Sequence, residues 1–212
     1  MKICCMLTPQ EIALAAEAGA DLVGLVGPMP TGPGTLSLED AATLARFVPD
    51  GILPVLLSSS TTEQDLIRDL EVVRPHTVQI VQHVAREVHI SMAGSLPGIA
   101  RLQVIHVEGP EAVDLIRTYG DAPDGFLLDS GRPAANELGG TGRVHDWSVS
   151  RACVEAAKRP VFLAGGLNPA NVTDAVRQVR PHGIDVCSGV RKDDRLDPEK
   201  LFAFMAGIQQ AQ

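Results

Sequence analysis

Gly125-Phe126-Leu127-Leu128-Asp129-Ser130, Leu138-Gly139-Gly140-Thr141-Gly142, Phe162-Leu163-Ala164-Gly165-Gly166-Leu167-Asn168-Pro169 and Ile184-Asp185-Val186-Cys187-Ser188-Gly189-Val190 follow one another through the last third of the chain. Three of these segments are short apolar runs that end in small or acidic residues, and the remaining one is a glycine loop. Continuous apolar runs of this length mark strands covered on both faces, as in parallel sheets. Glycine and serine at successive strand ends leave backbone N–H groups free to meet an anion.

The same plan extends to the N-terminus. Apolar runs at 2–5, 22–26, 52–57, 77–81, 102–107, 125–128, 161–164 and 184–186 alternate with helical patterns at 9–18, 38–47, 63–73, 110–119, 147–157, 169–179 and 198–209. Thr8-Pro9, Asn168-Pro169 and Asp197-Pro198 each offer an N-cap followed by proline at the first helical position. The interval 82–100 breaks the rhythm: His83 to His89 is a candidate helix, but Ser91-Met92-Ala93-Gly94-Ser95-Leu96-Pro97-Gly98 has loop composition. Eight alternations in 212 residues predict an α/β fold, a single (β/α)8 TIM barrel over residues 1–212, slightly shorter than the usual ~250. An open doubly wound sheet would carry a G-x-G-x-x-G turn after its first strand, and Cys5-Met6-Leu7-Thr8 is nothing like one.

Bulk properties narrow the function. A net charge of −8 argues against nucleic-acid binding, and one Trp, one Tyr and five Phe leave little for base stacking. No apolar run approaches the ~20 residues of a membrane span, and the first residues lack a signal-peptide plan. Cys4, Cys5, Cys153 and Cys187 form neither a C-x-x-C pair nor a zinc pattern, so a reduced cytoplasmic protein is expected. His83, His89 and His106 have no metal-ligand spacing, and no metal site is expected. The oligomeric state stays open between monomer and homodimer.

In a barrel, residues at the C-terminal ends of strands face the active site. Asp129 there is a candidate acid, and Gly165, Gly166, Ser188 and Gly189 are candidate phosphate binders, with Gly140 and Gly142 on a loop able to close over a ligand. Cys4 and Cys5 are neighbours on the first strand, so alternation sends them to opposite faces and admits one to the mouth. Spacing from Lys2 favours Cys4. Asp185 reads as a hydrogen-bonded structural carboxylate rather than a second acid.

These motifs resemble the phosphoribosylanthranilate isomerase family, (β/α)8 enzymes of tryptophan biosynthesis. Lys2-Ile3-Cys4 looks like its K-I-C-G opening. Leu127-Leu128-Asp129-Ser130 with Gly139-Gly140-Thr141-Gly142 and His145-Asp146-Trp147 looks like its L-L-D-S…G-G-T-G…F-D-W. The segment from Leu163 to Val172 is nearly its L-A-G-G-L-N-P-x-N-V, and that from Gly183 to Val190 is close to its G-x-D-V-x-S-G-V. The resemblance implies an Amadori rearrangement of a phosphoribosyl-amine, with Asp129 as general acid on the ring oxygen and Cys4 as general base at C2. Such chemistry calls for no cofactor.

The departures fall mainly in the first half. Cys5 replaces the family's glycine. Gly34 stands where the S-P-R arginine would hold the anthranilate carboxylate, and Val81 replaces the histidine of V-Q-L-H-G. Arg191 replaces the glutamate of S-G-V-E. Arg132, Arg143 and Arg191 are the cations near enough in sequence to substitute as a carboxylate clamp. The alternative expectation is a diverged relative that acts on, or only binds, a different phosphosugar.

Overall fold

The computed structural model describes residues 1–30, 32–131 and 144–211. Eight parallel strands close into a barrel in chain order: β1 (Lys2–Ile3), β2 (Leu22–Val26), β3 (Leu53–Ser58), β4 (Thr77–Ile80), β5 (Ala100–His106), β6 (Gly125–Asp129), β7 (Val161–Leu163) and β8 (Gly183–Val186). The ring closes because β1 pairs with both β2 and β8, Lys2 lying opposite Leu22 on one side and Asp185 on the other. Helices α1 (Pro9–Glu17), α2 (Leu38–Ala45), α3 (Glu63–Val73), α4 (Arg86–Ser95), α5 (Glu111–Tyr119), α6 (Trp147–Ala156), α7 (Val172–Val179) and α8 (Pro198–Gln209) cover the outside.

The strand period of two sorts side chains into two cores. Val55, Leu57, Val104 and Leu127 fill the barrel interior with Cys4. Their outward neighbours Ile3, Leu56, Phe126 and Leu128 pack beneath the helices against Ile12, Leu66 and Phe204. Each fully buried side chain of this size contributes about 1.5–3 kcal/mol. Among the described residues no helix is long and apolar enough to cross a membrane.

Most elements match the sequence reading to within about two residues; larger differences fall at α4 and α7. Helix α4 continues past His89 into the stretch with loop composition as far as Ser95, because tertiary contacts outweigh a weak local propensity. Met92 and His89 are fully buried beneath it, and the hydroxyls of Ser91 and Ser95 donate to Glu63 Oε1 on α3 at 2.7 and 3.2 Å. Helix α7 starts at Val172 rather than at Pro169, because Asn168 Oδ1 accepts from Ala170 N while Asn171 Oδ1 accepts from Asn168 N, which makes a side-chain-closed turn before the helix. The caps at Thr8 and Asp197 stand as expected, accepting from Glu11 N and Lys200 N.

A short hairpin unread in the sequence, β9 (Arg191–Lys192) and β10 (Arg195–Leu196), follows β8. Its turn residues Asp193 and Asp194 both take left-handed backbone (φ 50° and 59°), the conformation that tight hairpin turns require.

Candidate active site

A cavity opens at the C-terminal ends of the strands, lined by Cys4, Asp129, Gly165, Gly166, Asp185 and Ser188 among others. Asp129 and Asp185 are residues of β6 and β8, and Cys4, Gly165, Gly166 and Ser188 follow the ends of β1, β7 and β8, so the closed barrel brings them to one mouth.

Cys4 follows β1, where its amide donates to Val186 O at 2.8 Å. A Cβ on Gly24 of β2 would lie 2.6 Å from Cys4 Sγ, so the missing side chain there is what makes room for the thiol. Two residues back on the same face, Lys2 is wholly buried and donates to Asp185 Oδ1 at 2.8 Å. Burial pushes the Cys4 thiol up to about 11, with the Lys2 ammonium pulling the other way.

Asp129 closes β6 and accepts from Ser130 N at 2.8 Å. Burial raises its carboxyl to about 6, and the Asp185 carboxylate adds to the rise. A carboxyl with that value holds an appreciable neutral fraction near neutral pH, which is what a proton donor needs.

The two glycine loops interlock. Gly165 and Gly166 have left-handed backbone (φ 80° and 64°), open to glycine at little cost. A Cβ on Gly165 would meet Ser130 N at 2.9 Å, and one on Gly189 would fall 1.8 Å from Leu167 O. Gly189 thus seats the turn Ser188–Val190 directly against the loop after β7. Among the described residues the amides of Gly165, Gly166, Ser188 and Gly189 donate to no backbone acceptor, so this corner presents a cluster of N–H dipoles. Gly140 and Gly142 lie outside the described residues.

Both Cys4 and Cys5 line the cavity, contrary to the simple alternation rule. Cys5 adopts φ 66°, which ends the strand pleat and turns its side chain back into the mouth. There it is joined to Cys187 as a disulfide, with Cα atoms 6.1 Å apart. Cys4 and Cys153 are the free thiols. The expectation of four reduced cysteines is corrected in this respect: the partners are 182 residues apart and meet only because β1 and β8 are neighbours.

Arg191 is also reassigned. Its guanidinium pairs with Glu11 Oε1 at 2.9 Å and donates to Asp194 O and to Cys5 O. Glu11 in turn accepts from Leu7 N and Leu196 N. The pair ties the start of α1 to the β9–β10 hairpin and braces the Cys5 turn, so Arg191 is not available as a carboxylate clamp. Arg132 and Arg143 lie outside the described residues. Apart from Gln79, the β2–β4 side of the cavity, where the Gly34 and Val81 departures fall, is apolar: Val26, Met29, Pro33, Leu57 and Val81.

Sequence reasoning passed over two buried polar side chains, Lys2 and Gln79. Gln79 is 4% exposed, lines the cavity, and its Oε1 has no hydrogen-bond partner among the described residues. The available signal was a polar residue inside an otherwise apolar strand, since such groups are kept only with a partner.

Comparison with known proteins agrees with this geometry. Residues 1–206 match the family described as N-(5'phosphoribosyl)anthranilate (PRA) isomerase. The chain is 35% identical over 218 residues to N-(5'-phosphoribosyl)anthranilate isomerase of Halobacterium salinarum, covering 97% of this chain and 94% of that one. The structure of phosphoribosyl anthranilate isomerase from Thermococcus kodakaraensis superposes with a TM-score of 0.80 at 30% identity, over 98% and 97% of the two chains. A phosphoribosyl anthranilate isomerase in complex with reduced 1-(o-carboxyphenylamino)-1-deoxyribulose 5-phosphate superposes with a TM-score of 0.80 at 25% identity, again over 98% and 97%. The chain belongs to the N-(5'-phosphoribosyl)anthranilate isomerase family.

Proposed function

We propose that this protein isomerises N-(5'-phosphoribosyl)anthranilate to 1-(o-carboxyphenylamino)-1-deoxyribulose 5-phosphate, a step of tryptophan biosynthesis. The observation that carries the reading is the meeting of Cys4, Asp129 and the two glycine loops in one cavity. Neutral Asp129 gives its proton to the ribose ring oxygen, the ring opens, and positive charge develops on the imine nitrogen. Cys4 as thiolate removes the C2 proton, which leaves a neutral enolamine that tautomerises to the ketone.

The amides around Gly165, Gly166, Ser188 and Gly189 are proposed to hold the phosphate, with Gly140 and Gly142 completing the grip. This anchors the substrate at a distance from the reacting carbons and aligns them. With Arg191 committed to Glu11, Arg132 and Arg143 are the cations proposed for the anthranilate carboxylate. The enzyme is proposed to work in the cytoplasm as a monomer or homodimer.

The test is incubation of purified protein with freshly prepared phosphoribosylanthranilate and chromatographic identification of the ketose. Its formation, inhibited competitively by inorganic phosphate, supports the reading. Folded protein that forms no ketose overturns it.

A further inference from the structure

A thiol that burial holds as high as Cys4 is a poor base unless something in the barrel answers the charge of its thiolate. Lys2 is placed for this. Lys2 and Cys4 lie two residues apart at the first strand, so both enter the barrel interior. Register sets Lys2 opposite Asp185, whose Oδ1 accepts from Nζ at 2.8 Å. The lysine side chain has no exposure at all and the aspartate side chain 9%. The ammonium has three donors, of which Asp185 uses one, and its charge bears on the buried Cys4 side chain two residues along the same face.

Stability alone is a weak reason for such a pair. Removing two charges from water costs much of what their attraction returns, and apolar replacements are often as stable. The pair also sits directly behind the reacting thiol rather than at the closed end of the barrel.

We propose that Lys2, held by Asp185, is a positioning residue for the isomerisation: its ammonium is the counter-charge that makes the Cys4 thiolate accessible. The proposal rests on the isomerase reading for its catalytic meaning, but the coupling between the two side chains is measurable without turnover.

The surroundings leave few competitors for that role. Gly24 faces Cys4 from β2, and Leu57 and Gln79 line the cavity from the next two strands; none carries charge. Asp129 approaches from β6 and Asp185 from β8, and both are acids that disfavour a thiolate. Cys5 and Cys187 are tied to each other. Among these groups Lys2 is the cation. Its own protonation is secure: burial works against it, but Asp185 and Cys4 outweigh burial and raise it above the ordinary lysine value.

The experiment follows alkylation of Cys4 by iodoacetamide in the intact protein across pH, read by peptide mass spectrometry. Wild type is compared with Lys2→Arg, Lys2→Met and Asp185→Asn, and turnover is followed over the same pH range. Lys2→Met is expected to move the alkylation midpoint upward by about one unit, or roughly tenfold slower reaction at fixed pH. Lys2→Arg keeps the charge and restores the profile. Asp185→Asn removes a negative neighbour and moves the midpoint downward. Opposite shifts from the two halves of one ion pair are not produced by simple loss of structure. If Lys2→Met does not fold, Lys2→Gln, which removes the charge and keeps a polar end for Asp185, takes its place with the same expected upward shift.

Superimposable alkylation profiles in all folded variants would overturn the proposal. Failure of wild-type turnover with the alkylation shifts intact would instead overturn the isomerase reading and leave the coupling standing.

Discussion

Gly34 lies so close to Cys5 that a Cβ built upon it would be 3.1 Å from Cys5 Cβ. These are two of the positions at which the sequence departs from the family pattern it resembles, with cysteine in place of glycine and glycine in place of arginine. The departures are therefore coupled: a side chain at position 5 takes the space beside the backbone of position 34. Gly34 also has φ 71°, which costs an arginine about 1–2 kcal/mol.

It follows that Gly34→Arg alone is destabilising, and that Cys5→Gly recovers part of the loss. Cys5→Gly by itself is expected to be stabilising by about 1 kcal/mol, since it removes a non-glycine residue from φ 66°. Urea unfolding of the two single variants and the double variant, all in reductant so that the disulfide makes no contribution, gives the coupling energy. Strict additivity would contradict the pairing.

Protein purified without reductant and unfolded in denaturant is expected to show two thiols per chain, Cys4 and Cys153. Titration with a chromogenic disulfide reagent counts them. After reduction the count rises to four, the full cysteine content. Four thiols before reduction would mean that Cys5 and Cys187 are not joined.

Gly189 has no room for a methyl group, because Leu167 O already occupies its place. Gly189→Ala must push the Ser188 turn away from the loop after β7 and spread the amide cluster. Thermal stabilisation by inorganic phosphate is the readout. The expected result is at least about tenfold weaker phosphate binding, about 1.4 kcal/mol. An unchanged phosphate response would remove the cluster from phosphate recognition.

The Asp129 carboxyl, raised to about 6 from 3.8, links stability to pH. Between those values the folded chain holds a proton that the unfolded chain has lost, so stability declines as pH rises through that window. Above it, the protein carries a buried carboxylate. Asp129→Asn does not titrate and stays flat. Relative to wild type the variant is expected to gain about 1 kcal/mol between pH 5 and pH 8, measured by urea unfolding at fixed ionic strength. A gain in the opposite direction would mean that the Ser130 N–H, which favours the charged form, outweighs burial.

How much of this was legible beforehand depends on whether local or long-range contacts decide. Strands such as β2 and helices such as α3 were readable because apolar periodicity is local. Asp129, Gly165 and Ser188 were readable because barrel topology places strand ends together. The second half of helix α4 was not, because its stability comes from burying Met92 and from serine bonds to Glu63. The links Lys2–Asp185, Cys5–Cys187 and Arg191–Glu11 span 183, 182 and 180 residues. Pairings of that range exist only once the barrel closes β1 against β8. The left-handed turn at Cys5 was hidden too, since cysteine is a residue seldom found there.

Cys4 and Asp129 are each assigned one of two proton transfers, removal of the C2 proton and protonation of the ring oxygen. The most direct measurement is the rate of loss of anthranilate fluorescence from phosphoribosylanthranilate carrying deuterium at ribose C2, for wild type, Cys4→Ala and Asp129→Asn. The expected result is wild-type turnover slowed by the deuterium, and losses of roughly 10²–10⁴-fold in each variant. Turnover in either folded variant at the wild-type rate would contradict the assignment.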